Sequence, residues 1–322
     1  MRVPSSASSV RKITALAVFS LIAAGLYMLV SINPKYAAFA FRLRAPKLTA
    51  MLITAFAIGG ATIVFQTIIN NNIVTPCLLG MNSLYTMVHT IIVFFFNTAS
   101  VAFTNRNLSF AIDLVVMSAA STVIYGWLFK KTNYNVLYVL LVGTVLANLF
   151  TSVQSTLTRV MDPNEYDALL TTLVASFSKV NADVIAFSLA LMAVVMFALR
   201  RELSLLNVIT LGRERAVNLG VDYDKTIRRL LLGVTIFITI ATALVGPISF
   251  LGLIIANLSR QLFRTYRHSY LIAGSALFGM ASLVAGQLIV EHVFVYSVPV
   301  SVFVTVGGGA YFLFLLTRGK AV

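Results

Sequence analysis

Residues 200–229 read RRELSLLNVITLGRERAVNLGVDYDKTIRR, and this stretch decides how the rest of the chain is laid out. It is the longest polar interruption in a sequence that otherwise runs from one apolar segment to the next. Arg200, Arg201, Arg213, Arg215, Lys225, Arg228 and Arg229 stand against Glu202, Glu214, Asp222 and Asp224. A surplus of Lys and Arg between hydrophobic spans marks the cytoplasmic side of a membrane protein. Leu205, Leu206, Ile209, Leu211, Ala216, Val217 and Leu219 recur at helical spacings, while Gly212 and Gly220 stand where short helices break or end. The pattern predicts two short helices on a cytoplasmic face, a form suited to receiving a soluble partner. A solvated connector is the alternative.

Composition supports the membrane reading. Of 322 residues, 59% are hydrophobic and only 11% charged, where a soluble chain carries roughly a quarter charged. The mean hydropathy of +0.93 agrees, and the fold class expected is an all-α polytopic membrane protein. A net charge of +14 would suggest nucleic acid in a soluble protein. Here the basic residues fall at the ends of apolar spans, so topology accounts for them and no nucleic-acid partner is expected. Cys77 is the only cysteine, which excludes an intramolecular disulfide and argues against a thiol metal site. His89, His268 and His292 are scattered and read as unpaired, so no metal site is expected.

A spanning helix needs roughly 20 apolar residues. Ten segments qualify or nearly do so: 13–31, 48–69, 82–103, 110–129, 136–157, 182–199, 230–245, 248–262, 270–290 and 300–316. The N-terminal flank Arg2, Arg11 and Lys12 looks like that of a signal peptide, but no small-x-small cleavage pattern follows, so the first helix is expected to be retained. Segments 33–46 and 158–181 are then external, 70–80 is a short uncharged inner loop, and Arg318 and Lys320 place the far end inside. Both termini are therefore expected in the cytoplasm. Of the 24 basic residues, 17 fall on segments read as internal and 7 on external ones; the reverse orientation would invert that bias. No linker marks a second domain, and 1–322 reads as one membrane domain.

What is missing narrows the chemistry. No G-x-x-x-x-G-K-[ST] loop is present to cradle a nucleotide phosphate, and no nucleophile–base pair suggests an enzyme. Gly307, Gly308 and Gly309 read as a helix-packing site. Asp113, Asp183 and Glu291 fall near external span ends, leaving no mid-membrane carboxylate of the kind an ion-coupled secondary carrier keeps. Thr144, Asn148, Thr151 and Ser155 follow one another by four, three and four residues, which puts them on one helical face. That face reads either as the wall of a pathway or as a hydrogen-bonding contact between packed helices. Gln66, Asn97 and Asn257 are isolated and read as packing residues.

The run 212–220 (GRERAVNLG), followed by Arg228-Arg229 and then by VGPISFLGL at 245–253, resembles the permeases of type II ATP-binding-cassette importers for iron chelates and cobalamin, the FecCD group. Arg44-Ala45-Pro46-Lys47, Gly59, Gly60, Gln66, Asn71, Pro76, Leu79-Gly80, Ser83, Pro299 and Gly308-Gly309-Ala310-Tyr311-Phe312 continue the match in the same order. The family pattern is not followed everywhere. Ala256-Asn257-Leu258-Ser259-Arg260 stands where a Pro-His pair precedes the Arg, Gln287 near a usual Asp, Ser297-Val298-Pro299 for Glu-Leu-Pro, Ala310 for a Pro, and Val290 for an external Arg. Such variants fit the branch serving ferric siderophores, catecholate types included.

The resemblance implies a type II importer permease fold of ten helices and a pathway shared with a second permease, identical or homologous. It implies two ATPase subunits, holding ATP and Mg, docked on Leu211, Gly212, Arg213, Ala216, Leu219 and Gly220, with Ala216 facing them. It further implies an extracytoplasmic substrate-binding protein docked at Arg44 and Lys47, and no cofactor in this chain. A haem or cobalamin permease of the same fold is the nearest alternative, and an ion-coupled carrier the alternative of another class.

Overall fold

The computed structural model describes residues 6–32, 34–131, 136–177, 180–295 and 298–317; Arg2, Ser297, Arg318 and Lys320 lie outside them. Among the described residues all regular structure is helical: α1 (Ser6–Leu29), α2 (Ala37–Ile69), α3 (Met81–Phe96), α4 (Val101–Thr104), α5 (Arg106–Lys131), α6 (Val136–Val160), α7 (Pro163–Leu173), α8 (Ala182–Ala198), α9 (Arg200–Ile209), α10 (Arg213–Asn218), α11 (Tyr223–Val245), α12 (Leu251–Phe263), α13 (His268–His292) and α14 (Val300–Thr317). Single 3-10 turns lie at Pro34–Tyr36 and Pro76–Leu79.

The centre of the bundle follows from apolarity. α2 is hydrophobic on all sides, and nearly every residue from 50 to 69 is buried; a helix of that kind belongs in the interior. α11 is buried through most of its length, and α2 is flanked by α11, α12 and α13. Small residues let these axes approach: a Cβ added at Gly59 would stand 2.9 Å from Ser275 Oγ on α13. Around this centre α1 lies on α13, α5 on α11, and α3 on α6. α1 turns Phe19, Leu21, Ile22 and Leu26 outward, the apolar exterior a lipid-facing helix requires.

Among the described residues, six helices are long and apolar enough to cross a membrane, and the pair α8–α9, bent by 59°, makes a seventh if counted as one span; α3, α12 and α14 are shorter apolar helices. Each of the ten apolar segments falls on one of these elements, with boundaries that differ instructively. The segment expected to run from 82 to 103 breaks after Phe96, where Asn97 adopts φ +61° and the chain turns into α4. Asn97, read above as an isolated packing residue, is instead where the helix stops, since Asn tolerates a positive φ better than other non-glycine residues do. Most of the stretch expected as an external loop, 33–46, is instead the start of α2, with Pro46 inside the helix. The apolar segment expected to begin at 230 begins instead at Tyr223 of α11, capped by the Asp222 side chain accepting from Lys225 N at 3.2 Å. Of the three C-terminal glycines only Gly308 packs closely, against Phe250, whereas Gly307 and Gly309 meet nothing within 4 Å.

Candidate functional site

The polar interruption builds a small structure at one end of the bundle. α9 bends away from α8 at Leu199 and is amphipathic, burying Leu206 and Ile209. Two polar bridges fasten it. Glu202, buried on α9, accepts from Arg229 on α11, and the Arg229 guanidinium holds the Glu202 carboxyl below its ordinary value. Asn207 Oδ1 lies 2.7 Å from His268 Nδ1, and His268 Nε2 lies 2.9 Å from Thr67 Oγ1. The second bridge thus joins α9 to α13 and α2, where α2 ends and α13 begins.

α10 follows through Gly212 at φ +93° and is closed by Gly220 at φ +82°. Neither glycine is crowded; the backbone angle is what requires them. Ala216 is fully buried, which corrects the expectation that it faces a partner. On a helix of six residues only one side can rest on the bundle, and Ala216 is the residue that rests there. Leu211, Val217 and Leu219 are exposed by 47%, 52% and 64%, amid Arg213 and Arg215. The element therefore displays a small apolar patch inside a basic rim.

At the opposite end the two cations expected to be waiting for a partner already have one. Arg44 Nη1 donates to Tyr27 O at 2.8 Å and Val30 O at 2.7 Å, closing the free carbonyls at the end of α1. Its guanidinium also stacks over the Tyr27 ring at 5.7 Å. Lys47 pairs with the largely buried Glu291 at 3.4 Å, which also accepts from Tyr27 Oη at 3.0 Å and Gln287 Nε2 at 2.8 Å. Gln287, one of the departures from the family pattern, is thus a partner of Glu291. Asn257, another, donates to Asn72 O at 3.1 Å, the same carbonyl that Gln66 Nε2 reaches at 2.7 Å. Gln66 and Asn257 are not isolated; a backbone carbonyl joins them.

Thr144, Asn148, Thr151 and Ser155 are all exposed on α6. Thr144 and Thr151 donate to carbonyls of their own helix, Leu141 O at 2.8 Å and Ala147 O at 2.9 Å. One link leaves the helix, Thr151 to Ser83 Oγ at 3.4 Å. The stripe is not a contact between tightly packed helices of this chain.

One carboxylate near an external span end is buried and paired. Asp113 on α5 is 2% exposed and lies 3.0 Å from His89 Nε2 on α3. The pair borders a polar cavity of about 150 Å³ reached also by Tyr85, Ser176 and Asn181. α5 begins at Arg106, two turns before Asp113, and α3 covers it. His89 and His268 are therefore both partnered, where the sequence read them as unpaired. Among the described residues no group of three or more His, Cys, Asp or Glu side chains is placed to hold a metal ion.

Residues 6–318 match the FecCD transport family. The chain belongs to the FecCD transport family. This FecCD chain is 41% identical over 275 residues to the petrobactin import system permease protein YclO of Bacillus subtilis, covering 85% of this chain and 87% of that one. It is 34% identical over 284 residues to the petrobactin import system permease protein FatC of Bacillus anthracis, covering 87% and 79%. Its fold is that of a solved metal-chelate type ABC transporter in an inward-facing conformation, with TM-score 0.78 and 21% identity over 96% of this chain and 99% of the other. It is a multi-span permease of the bacterial plasma (inner) membrane, and the family assignment sets the ion-coupled carrier aside.

Proposed function

We propose that this chain is the permease subunit of an ATP-driven importer of ferric siderophores, with ferric petrobactin the first substrate to test and the catecholate class the expectation. The observation that carries the reading is the α9–α10 element. It turns Leu211, Val217 and Leu219 outward and is bridged to α11 and α13, in a chain closely similar to two petrobactin permeases. In this reading residues 1–322 work as one permease domain of ten spanning helices with both termini in the cytoplasm. A second permease, identical or homologous, completes the pathway, with Thr144, Asn148, Thr151 and Ser155 toward it. Two ATPase subunits, which carry the ATP and Mg, dock on Leu211, Gly212, Arg213, Leu219 and Gly220, with Ala216 as the buried foot of that surface. No cofactor resides in this chain. An extracytoplasmic binding protein delivers the chelate near Arg44 and Lys47.

The bridges give the mechanism its path. Closure of the ATPases on ATP displaces α10, and α9 moves with it. Because Glu202 and Asn207 join α9 to α11 and α13, the displacement passes to the central helices, whose packing switches between discrete arrangements. The test is complementation of a strain lacking its own permease, supplying the chain with its ATPase and binding protein and measuring uptake of radiolabelled iron from ferric petrobactin. Uptake that needs ATP is expected. Failure to carry ferric petrobactin, alongside carriage of cobalamin by the same assembly, would replace the substrate while keeping the permease.

A further inference from the structure

Residues of α5, α10 and α11 line a groove of about 590 Å³ at the end of the bundle that carries α10. Lys130, Arg213 and Arg228 line it, together with Trp127, Val123 and Leu231. Asp224 is the one acid among its lining residues and is already paired with Arg213 at 3.0 Å. Two cationic side chains, Lys130 and Arg228, thus remain over an apolar floor, and both are exposed. We propose that this groove binds the headgroup of an anionic phospholipid.

The walls say why the occupant is a lipid and not a soluble anion. Val116, Val123 and Trp127 are exposed by 40%, 70% and 59%, and steps of seven and four residues put them on one face of α5. α5 is one of the helices apolar enough to span a membrane, so this stripe is an acyl-chain track that ends at the cationic groove. Trp is the residue favoured at the level of the headgroups, with its ring in the apolar layer and its N–H toward water. A basic pocket between spanning helices at such an end has the chemistry to hold an anionic headgroup. The site is separate from the pathway face on α6 and does not depend on which chelate is carried.

Trp127 is the only tryptophan of the chain, so its fluorescence reports occupancy directly. The full chain is reconstituted in phosphatidylcholine bilayers containing either brominated phosphatidylglycerol or an equal amount of brominated phosphatidylcholine. Preferential quenching of Trp127 by the phosphatidylglycerol is expected. Lys130→Gln and Arg228→Gln should each lower that preference roughly fivefold, the weight of one basic side chain near an anionic surface. Lys131→Gln, at the same helix end but outside the groove, should leave it nearly unchanged. Quenching by brominated phosphatidylcholine should be equal in all variants, which reports a chain still seated in the bilayer. Equal quenching of the wild type by the two lipids overturns the proposal. So does an equal loss from Lys131→Gln, which would mean a diffuse surface charge. Abolition of the preference by added inorganic phosphate would make this a soluble-anion site and overturn the lipid assignment.

Discussion

At the α10 end, Leu211, Val217 and Leu219 point away from the chain; at the other end, Arg44 and Lys47 are held by Tyr27, Val30 and Glu291. Both ends are rich in basic residues, and both read in sequence as places for a partner. The difference is one of reach. A long cationic side chain finds a carbonyl or carboxylate within its own chain and lays its stem along apolar surface. A helix of six residues cannot bury both its faces, so its outer apolar residues stay uncovered until something else arrives. An exposed apolar patch with a polar rim is therefore the stronger mark of a docking surface.

That contrast can be broken most decisively at α10. Val217→Glu combined with Leu219→Glu should weaken ATPase association roughly 30-fold or more, since an interface anchor is worth about 2 kcal/mol. Uptake should fall to background. Co-purification of the ATPase at the wild-type yield would mean that the patch is not the dock.

A smaller effect is expected from the brace beneath it. Glu202→Gln removes a bridge between one buried and one half-exposed group, worth about 1–2 kcal/mol, and amide exchange across α9 should quicken. The Glu202 carboxyl is held below its ordinary value, so the brace is intact above the usual carboxylate range and is lost as pH falls through the lowered value. Wild type and variant should then exchange alike in strong acid. A difference that persists there would assign the effect to something other than this charge.

Gly220→Val should cost about 1–2 kcal/mol, because φ is +82° in open space and the penalty is the backbone's alone. Its signature is frayed α10 amides beside unchanged amides in α2. Equal destabilisation of α2 would show that the glycine does more than end a helix.

The least effect belongs to the outer end. Lys47→Gln should change binding-protein affinity by no more than about fivefold even at low salt, as a pair already satisfied internally has little to offer. A loss of a hundredfold would show that Lys47 leaves Glu291 for the partner, and the contrast between the ends would collapse.

The membrane class, the positions of the apolar helices and the two short helices of the interruption were legible because each rests on composition or periodicity. The facing of Ala216 was not. Fewer than two turns give too little periodicity to tell inside from outside, and alanine suits either. The engagement of Lys47 was hidden because Glu291 lies 244 residues away. That of Arg44 was hidden because its acceptors are backbone carbonyls, which leave no mark in a sequence. Asp113 and His89 sit on different helices 24 residues apart, so neither signals the other in sequence. Gln66 and Asn257 meet at the carbonyl of Asn72, so neither side chain signals the other. That the partner of α10 is an ATPase came from family likeness, whereas the pathway reading of α6 came from the spacing of its polar residues.

The polar stripe on α6 has a consequence for the chain before it is assembled. Thr144 and Thr151 quiet their hydroxyls on their own helix, but the exposed amide of Asn148 has no such recourse among the described contacts. In hydrocarbon a bare amide is costly. A companion permease seated on this face, as proposed above, would relieve that cost by pairing the Asn148 amide or keeping it out of lipid.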